Sequence, residues 1–382
     1  MVRFTATVLF VLVTVCLFAT SGLCQAPPVE IHGYMLNRMY TNPSMSARFV
    51  TERFSLSAVA KLGEDGTAYV EYYFHPWLTD QVVSNGLTNV GVSPAGTNVT
   101  AEQSRTYMES CYVDLPLGPG RIRIGKGRQL NFGLTPSYPN RRTSQYGILS
   151  ETFTQDRIQG FQWSAKSESL DGGVSFFTDQ DLGTRDIGGC ASAIAGVDIQ
   201  SHIVDKDNGA NISGRMAVAG RIGVTRPSFQ LHASAAVGGL NPAQLVPVNS
   251  AGSGWNRPAN TNTDHNKFGV DTVWSSGPFF IQGEWYTGKF SFLGITGYQL
   301  ALGWQPKDKP RYVVKWAAMD NDKAPTTNSR TWNVQQLTLG YVYPIRKGVW
   351  IEINYEKNMT SNPAGTTAPK TDMLFTEFFT GF

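Results

Sequence analysis

One stretch decides the fold: Met216-Ala217-Val218-Ala219-Gly220-Arg221-Ile222-Gly223-Val224, then Thr225-Arg226-Pro227-Ser228, then Phe229-Gln230-Leu231-His232-Ala233-Ser234-Ala235-Ala236-Val237. In its first part Met216, Val218, Gly220, Ile222 and Val224 alternate with Arg215, Ala217, Ala219 and Arg221. In its second part Phe229, Leu231, Ala233, Ala235 and Val237 alternate with Gln230, His232, Ser234 and Ala236. A period of two puts one set of side chains on each face of a strand. A four-residue break with proline between two such runs makes them an antiparallel hairpin.

The same period recurs along the chain. Phe54, Leu56, Ala58, Ala60 and Leu62 alternate with Arg53, Ser55, Ser57 and Lys61. Val349, Ile351, Ile353 and Tyr355 alternate with Trp350, Glu352, Asn354 and Glu356. Sixteen strands are expected, at 29–41, 48–62, 67–77, 103–115, 121–131, 156–166, 173–178, 213–225, 228–238, 266–275, 279–288, 296–305, 311–320, 331–343, 348–358 and 371–382. No helix of ten residues or more is expected after the N-terminus. Tight turns at 63–66, 116–120, 167–172, 225–228, 275–278, 305–310 and 344–347 alternate with long loops around 78–102, 132–155, 179–212, 239–265, 321–330 and 359–370. The first outer connection and the one near Phe290–Ile295 are short for this scheme.

An even number of strands, with short turns on one side and long loops on the other, is the plan of an antiparallel transmembrane β-barrel. Hydrocarbon leaves no partner for an unpaired backbone N–H or C=O, so the sheet must close, last strand on first. The chain ends on a strand with a terminal aromatic, Phe382. Trp77, Trp274, Trp285, Trp304, Tyr312, Trp316, Tyr341 and Tyr343 are candidates for interfacial girdles. The rival fold is a soluble β-sandwich with those aromatics in its core. Composition favours the barrel: 12% aromatic, only 16% charged and 39 Gly.

The N-terminus is expected to be removed. Arg3 precedes an apolar stretch from Val8 to Ala19, followed by small and turn-forming residues. That is the layout of a secretory signal peptide, and the stretch is short for a membrane helix. The expected division is a signal peptide at 1–24 and a barrel at 25–382. Lipidation of Cys24 is the alternative, but Leu23 stands where a lipobox wants Gly or Ala. Two cysteines then remain, Cys111 and Cys190; two unrelated thiols are favoured over a disulfide.

A pore needs a wet lumen and charges that select one ion sign. Leu115 to Ser150 holds Arg121, Arg123, Lys126, Arg128, Arg141 and Arg142 and no Asp or Glu. Guanidinium forks suit oxyanions. Arg121 and Arg123 oppose the parity of Ile122 and Ile124 and are expected to face the lumen. Lys126 and Arg128 fall on the apolar parity, which implies a bulge near Gly125 or Gly127, or emergence from the membrane. With Arg157, Arg215 and Arg221 these form the candidate pore-lining, anion-contacting set. Inward acids are also expected at Glu71, Glu284, Glu352 and Glu356. Arg215, Arg221, Arg311 and Lys315 are expected to oppose Glu352 and Glu356 across the bore.

Residues 105–179 carry a denser pattern: Tyr112-Val113-Asp114-Leu115-Pro116-Leu117, a turn, Arg121-Ile122-Arg123-Ile124-Gly125-Lys126-Gly127-Arg128, then Phe132-Gly133-Leu134, and later Asp156-Arg157-Ile158-Gln159-Gly160. This resembles the phosphate-selective porin family, the porin O and P group, with the Arg-Asp order of the last motif inverted. Gly269–Glu284 and Gly303–Asp320 are similar to its later strands. The resemblance implies a sixteen-stranded homotrimeric channel for small solutes, anions in its best-known members.

Enzymatic chemistry finds no support. His32, His75, His202, His232 and His265 are scattered, and no H-E-x-x-H, G-x-S-x-G or phosphate-loop frame is present. Ser201 and His202 with Asp205 and Asp207 are the only hydrolase candidates, on one loop. The expectation is therefore an outer-membrane porin for passive diffusion of small hydrophilic solutes, with a preference for anions or, more narrowly, for phosphate. It needs no cofactor, metal or nucleic acid; its partners are solutes or anions and the surrounding lipid. The alternatives are a general or sugar porin, or a plugged structural or adhesive barrel.

Overall fold

The computed structural model describes residues 28–42, 45–74, 106–134, 147–154, 157–178, 216–239, 264–290, 293–321, 333–361 and 372–382. The expected signal peptide, Trp77 and Cys190 lie outside them, as do Ser201, His202, Asp205 and Asp207.

Sixteen strands form: β1 Val29–Asn42, β2 Met45–Leu62, β3 Gly66–Phe74, β4 Thr106–Leu117, β5 Gly120–Arg128, β6 Arg157–Lys166, β7 Leu170–Thr178, β8 Met216–Arg226, β9 Phe229–Gly239, β10 Asp264–Ser276, β11 Phe279–Phe290, β12 Leu293–Trp304, β13 Arg311–Asn321, β14 Asn333–Arg346, β15 Val349–Ser361 and β16 Met373–Gly381. Each pairs antiparallel with its neighbours in sequence, and β1 pairs with β16, so the barrel is closed. Among the described residues one short helix, α1 Ile148–Phe153, interrupts the β5–β6 connection.

Boundaries differ where local chemistry competes with pairing. Strand β7 starts at Leu170, although residues 167–172 read as a turn with the strand expected from Gly173. Gly172 and Gly173 stand in register with Ile222 and Arg221 of β8, and the ladder overrides the local preference. Strand β14 runs through Pro344 to Arg346, with a register shift there that absorbs the proline. Strand β5 ends at Arg128 because the chain then turns into the barrel.

The alternation resolves into two faces. On the β8–β9 hairpin, Met216, Ile222 and Val237 are 65%, 69% and 61% exposed, whereas Ala217, Ala219, His232 and Ala236 are buried. Val314, Leu302, Ile281, Phe176 and Leu374 continue the exposed apolar face around the barrel. A closed wall of large exposed hydrophobics fits lipid and not water, which disposes of the soluble sandwich. Near the short turns Trp274, Phe279, Tyr312 and Tyr343 are exposed, and Tyr312 packs on Trp304 and Tyr341 at ring distances of 5.7 and 5.1 Å. Cys111, which has no disulfide partner among the described residues, also faces outward.

The seam is closed by backbone and charge. Gly33 donates to Phe382 O at 3.0 Å, and Phe382 N–H returns a bond to Gly33 O at 2.9 Å. The Phe382 ring stacks on Phe54. Arg38 stands in register with Glu377, and Arg38 Nη2 donates to Glu377 Oε2 at 2.7 Å with both side chains buried.

Candidate pore and its constriction

The β5–β6 connection folds inward and is fastened along the inner wall. Leu130 N–H donates to Gln162 Oε1 at 2.7 Å, and Gln162 Nε2 donates to Arg128 O at 2.9 Å. Asn131 Nδ2 donates to Ser175 Oγ at 2.9 Å, which itself donates to Gln129 Oε1 at 2.8 Å. Gly133 N–H reaches Ser234 Oγ of β9 at 3.1 Å, and Leu134 N–H reaches Tyr286 Oη of β11 at 3.0 Å. Gly133 has φ 63, and a Cβ there would lie 2.7 Å from Tyr286 Oη, so both its backbone and its lack of side chain are required.

Helix α1 completes the attachment. Its apolar residues Ile148, Leu149 and Phe153 are at most 1% exposed. Phe132 and Phe153 flank the Tyr286 ring, each at 5.6 Å. Lys267 Nζ of β10 donates to Phe153 O at 2.9 Å and stands 4.7 Å from the Phe132 ring centre. Thr152 Oγ1 donates to Met319 Sδ of β13 at 3.2 Å. Leu149 rests over Gly297 of β12, where a Cβ would come within 2.5 Å of Leu149 Cδ1. Six residues cannot hold a helix in water, so tertiary packing makes it. Each buried apolar side chain contributes about 1.5–3 kcal/mol. The described residues of the connection therefore touch strands from β6 to β13, nearly half the inner circumference. The inward fold was not foreseen from sequence. The available signal was the spacing Ile148, Leu149, Phe153 in a loop, one apolar helical face too short to stand alone.

The candidate cations meet carboxylates that the basic stretch itself lacks. Asp114 of β4 accepts from both Arg121 and Arg123, the latter at 3.4 Å. Arg123 also lies 3.9 Å from the Tyr112 ring centre. Glu109, 1% exposed, accepts from both Arg128, at 3.3 Å, and Arg157. Arg53 lies 4.7 Å from the Tyr73 ring centre, while Ser55 and Tyr69 donate to Glu71 at 2.8 and 3.0 Å.

Two expectations need correction. The β4–β5 register runs from Leu117↔Gly120 to Cys111↔Lys126 without a shift, so no bulge turns Lys126 inward, even though Gly125 has φ 129. Lys126 stands beside Cys111 and Gln159, both exposed, on the outward row near the long-loop end. Arg221 does not oppose Glu352 and Glu356. It donates to Asp271 of β10 at 2.6 Å, in a cluster where His232 Nε2 lies 2.6 Å from Asp171 Oδ1. Glu284, Glu352 and Glu356 are inward and buried, as expected. Arg141, Arg142 and Arg215 lie outside the described residues.

A closed sixteen-stranded barrel with an inward-folded connection invites comparison with solved structures. The chain has the fold of the outer-membrane porins. Salmonella typhi OmpF, solved with daunomycin, superposes with a TM-score of 0.60 at 10% identity, covering 94% of this chain and 98% of that one. The outer-membrane channel DcaP of Acinetobacter baumannii gives 0.57 at 11%, covering 94% and 98%. An anion-selective porin of Comamonas acidovorans gives 0.55 at 12%, covering 93% and 99%. No family model matches the sequence, and no curated relative matches it. At such identities the porin fold is what is shared. Side chains are not, so the lumen of this porin fold must be argued from its own residues.

Proposed function

We propose that the chain is an outer-membrane porin, a passive channel for small hydrophilic solutes, exported by a signal peptide at 1–24 and assembled as a homotrimer. The observation that carries this is the β5–β6 connection, bonded to the inner faces of β6, β7, β9, β10, β11 and β13 within a closed barrel. A segment held against the inner wall narrows the bore, and a narrowed polar bore is the working part of a diffusion channel.

Its selectivity is a weak preference for anions. Two arginines share Asp114 and two share Glu109, so each acid is outnumbered. Guanidinium groups already bonded to carboxylates attract a passing anion less than bare ones do. Likeness of residues 105–179 to the phosphate-selective porin family supports the anion side, and phosphate specificity rests on that likeness alone.

The test is single-channel recording of refolded protein in a planar bilayer under a KCl gradient. Discrete steps with a reversal potential displaced modestly toward the chloride value are expected. Folded, inserted protein without conductance would sink the porin; conductance with cation preference would sink the anion claim. Chemical cross-linking in detergent checks the trimer.

A further inference from the structure

The β12–β13 connection, residues 305–310, is the longest of the short turns. It carries Lys307, Asp308 and Lys309, all exposed. Gln305 N–H donates to Pro278 O at 2.6 Å, tying it to the neighbouring turn. Asp308 holds φ 57 between Pro306 and Pro310, so the turn is conformationally restricted.

This turn overhangs a cavity of about 740 Å³ at the short-turn mouth, lined by Lys307, Lys309, Arg311, Val342, Pro344 and Trp350 among others. The last four are inward: Arg311 is in register with the buried Val342, and Pro344 with Trp350. Trp350 is stacked on Phe379, its register partner on β16, at a ring distance of 3.8 Å. Three cations and one carboxylate therefore face an apolar floor of tryptophan, valine and proline.

We propose that this cavity is a binding site for organic dianions with an apolar body, a vestibule where such solutes pause at the short-turn end of the channel. The cations draw the charged groups, and a cleft between low-dielectric walls concentrates that field. The floor removes the apolar body from water, which an inorganic anion of equal charge has no use for. The site lies at the far end of the barrel from the long loops and is separate from the Asp114 and Glu109 clusters. It deepens the porin reading and rests on it.

The experiment records refolded full-length protein in planar bilayers with 1,3-benzenedisulfonate or sulfate added to one compartment at a time. Both carry two negative charges, and only the first has a ring. The disulfonate is expected to interrupt the current from one compartment only, at roughly a tenth of the sulfate concentration. In Lys307→Gln/Lys309→Gln its half-blocking concentration should rise about tenfold relative to that variant's own open level. Interruptions should shorten between roughly 0.1 and 1 M KCl as screening grows. Equal block by both anions, equal block from both compartments, or block indifferent to the double substitution would overturn the site. Conductance without any block sinks this site and leaves the porin; absence of conductance from inserted protein sinks both.

Discussion

Tyr286 on β11 accepts the Leu134 N–H at 3.0 Å while donating its own proton to Glu284 Oε2 at 2.9 Å. One hydroxyl thus joins the inward connection to the barrel wall, and the ring below it is held between Phe132 and Phe153. Tyr286→Phe keeps the ring and removes the link. The loss is about 1–3 kcal/mol, borne by the attachment and not by the sheet. Single-channel records should show larger or noisier open levels with an unchanged strand signal in circular dichroism. An open level identical to wild type would show that Tyr286 does not hold the connection.

Phe153 makes a stronger test of the same idea. Its side chain is fully buried, and Phe153→Ala removes roughly 3–5 kcal/mol of packing. The barrel ladder does not depend on it, so the denaturation midpoint of the barrel should hardly move. A protease should instead gain access to the β5–β6 connection, which carries the Arg141-Arg142 pair. Loss of the whole fold would mean that the connection is part of the barrel's stability core.

Charge on the wall predicts selectivity with a sign. Glu109→Gln leaves Arg128 and Arg157 without their shared carboxylate. The lumen becomes more positive, and the reversal potential should move toward chloride. Arg157→Gln removes a cation and should move it the other way. Opposite shifts of a few millivolts to a few tens are the expected outcome; shifts of the same sign would place this cluster outside the ion path.

The seam pair predicts stability. Arg38→Met removes a charged partner from the buried Glu377 carboxylate, at a cost of about 3–5 kcal/mol, whereas Arg38→Met/Glu377→Met removes both charges and should recover much of the loss. Urea unfolding of the refolded barrel measures both. A double variant as unstable as the single one would show that the pair contributes more than charge compensation.

Much of the fold was legible because a strand's period of two is a local property. Ile222 and Arg221 declare their faces without reference to any other strand, and turn lengths give the two ends of the barrel. The misses were of two kinds. Leu170, Asp171 and Gly172 look like a turn until β8 pairs with them, since a ladder's backbone bonds outweigh a local preference. Residues 148–153 look like loop until β12 and β13 cover one face.

The candidate site was only half legible. Sequence alone determined that the chain alternates, that it forms sixteen strands about a bore, and that Leu115–Ser150 is basic. Only the tertiary structure decided what those cations meet. Asp114 and Glu109 come from the neighbouring strand, Asp271 comes from β10 to meet Arg221, and the wall that grips Phe132 and Phe153 comes from β10 to β13. The physical reason is range: facing is set by the residue's own place in the pleat, whereas charge compensation and burial depend on partners that only closure of the barrel brings within a few ångströms.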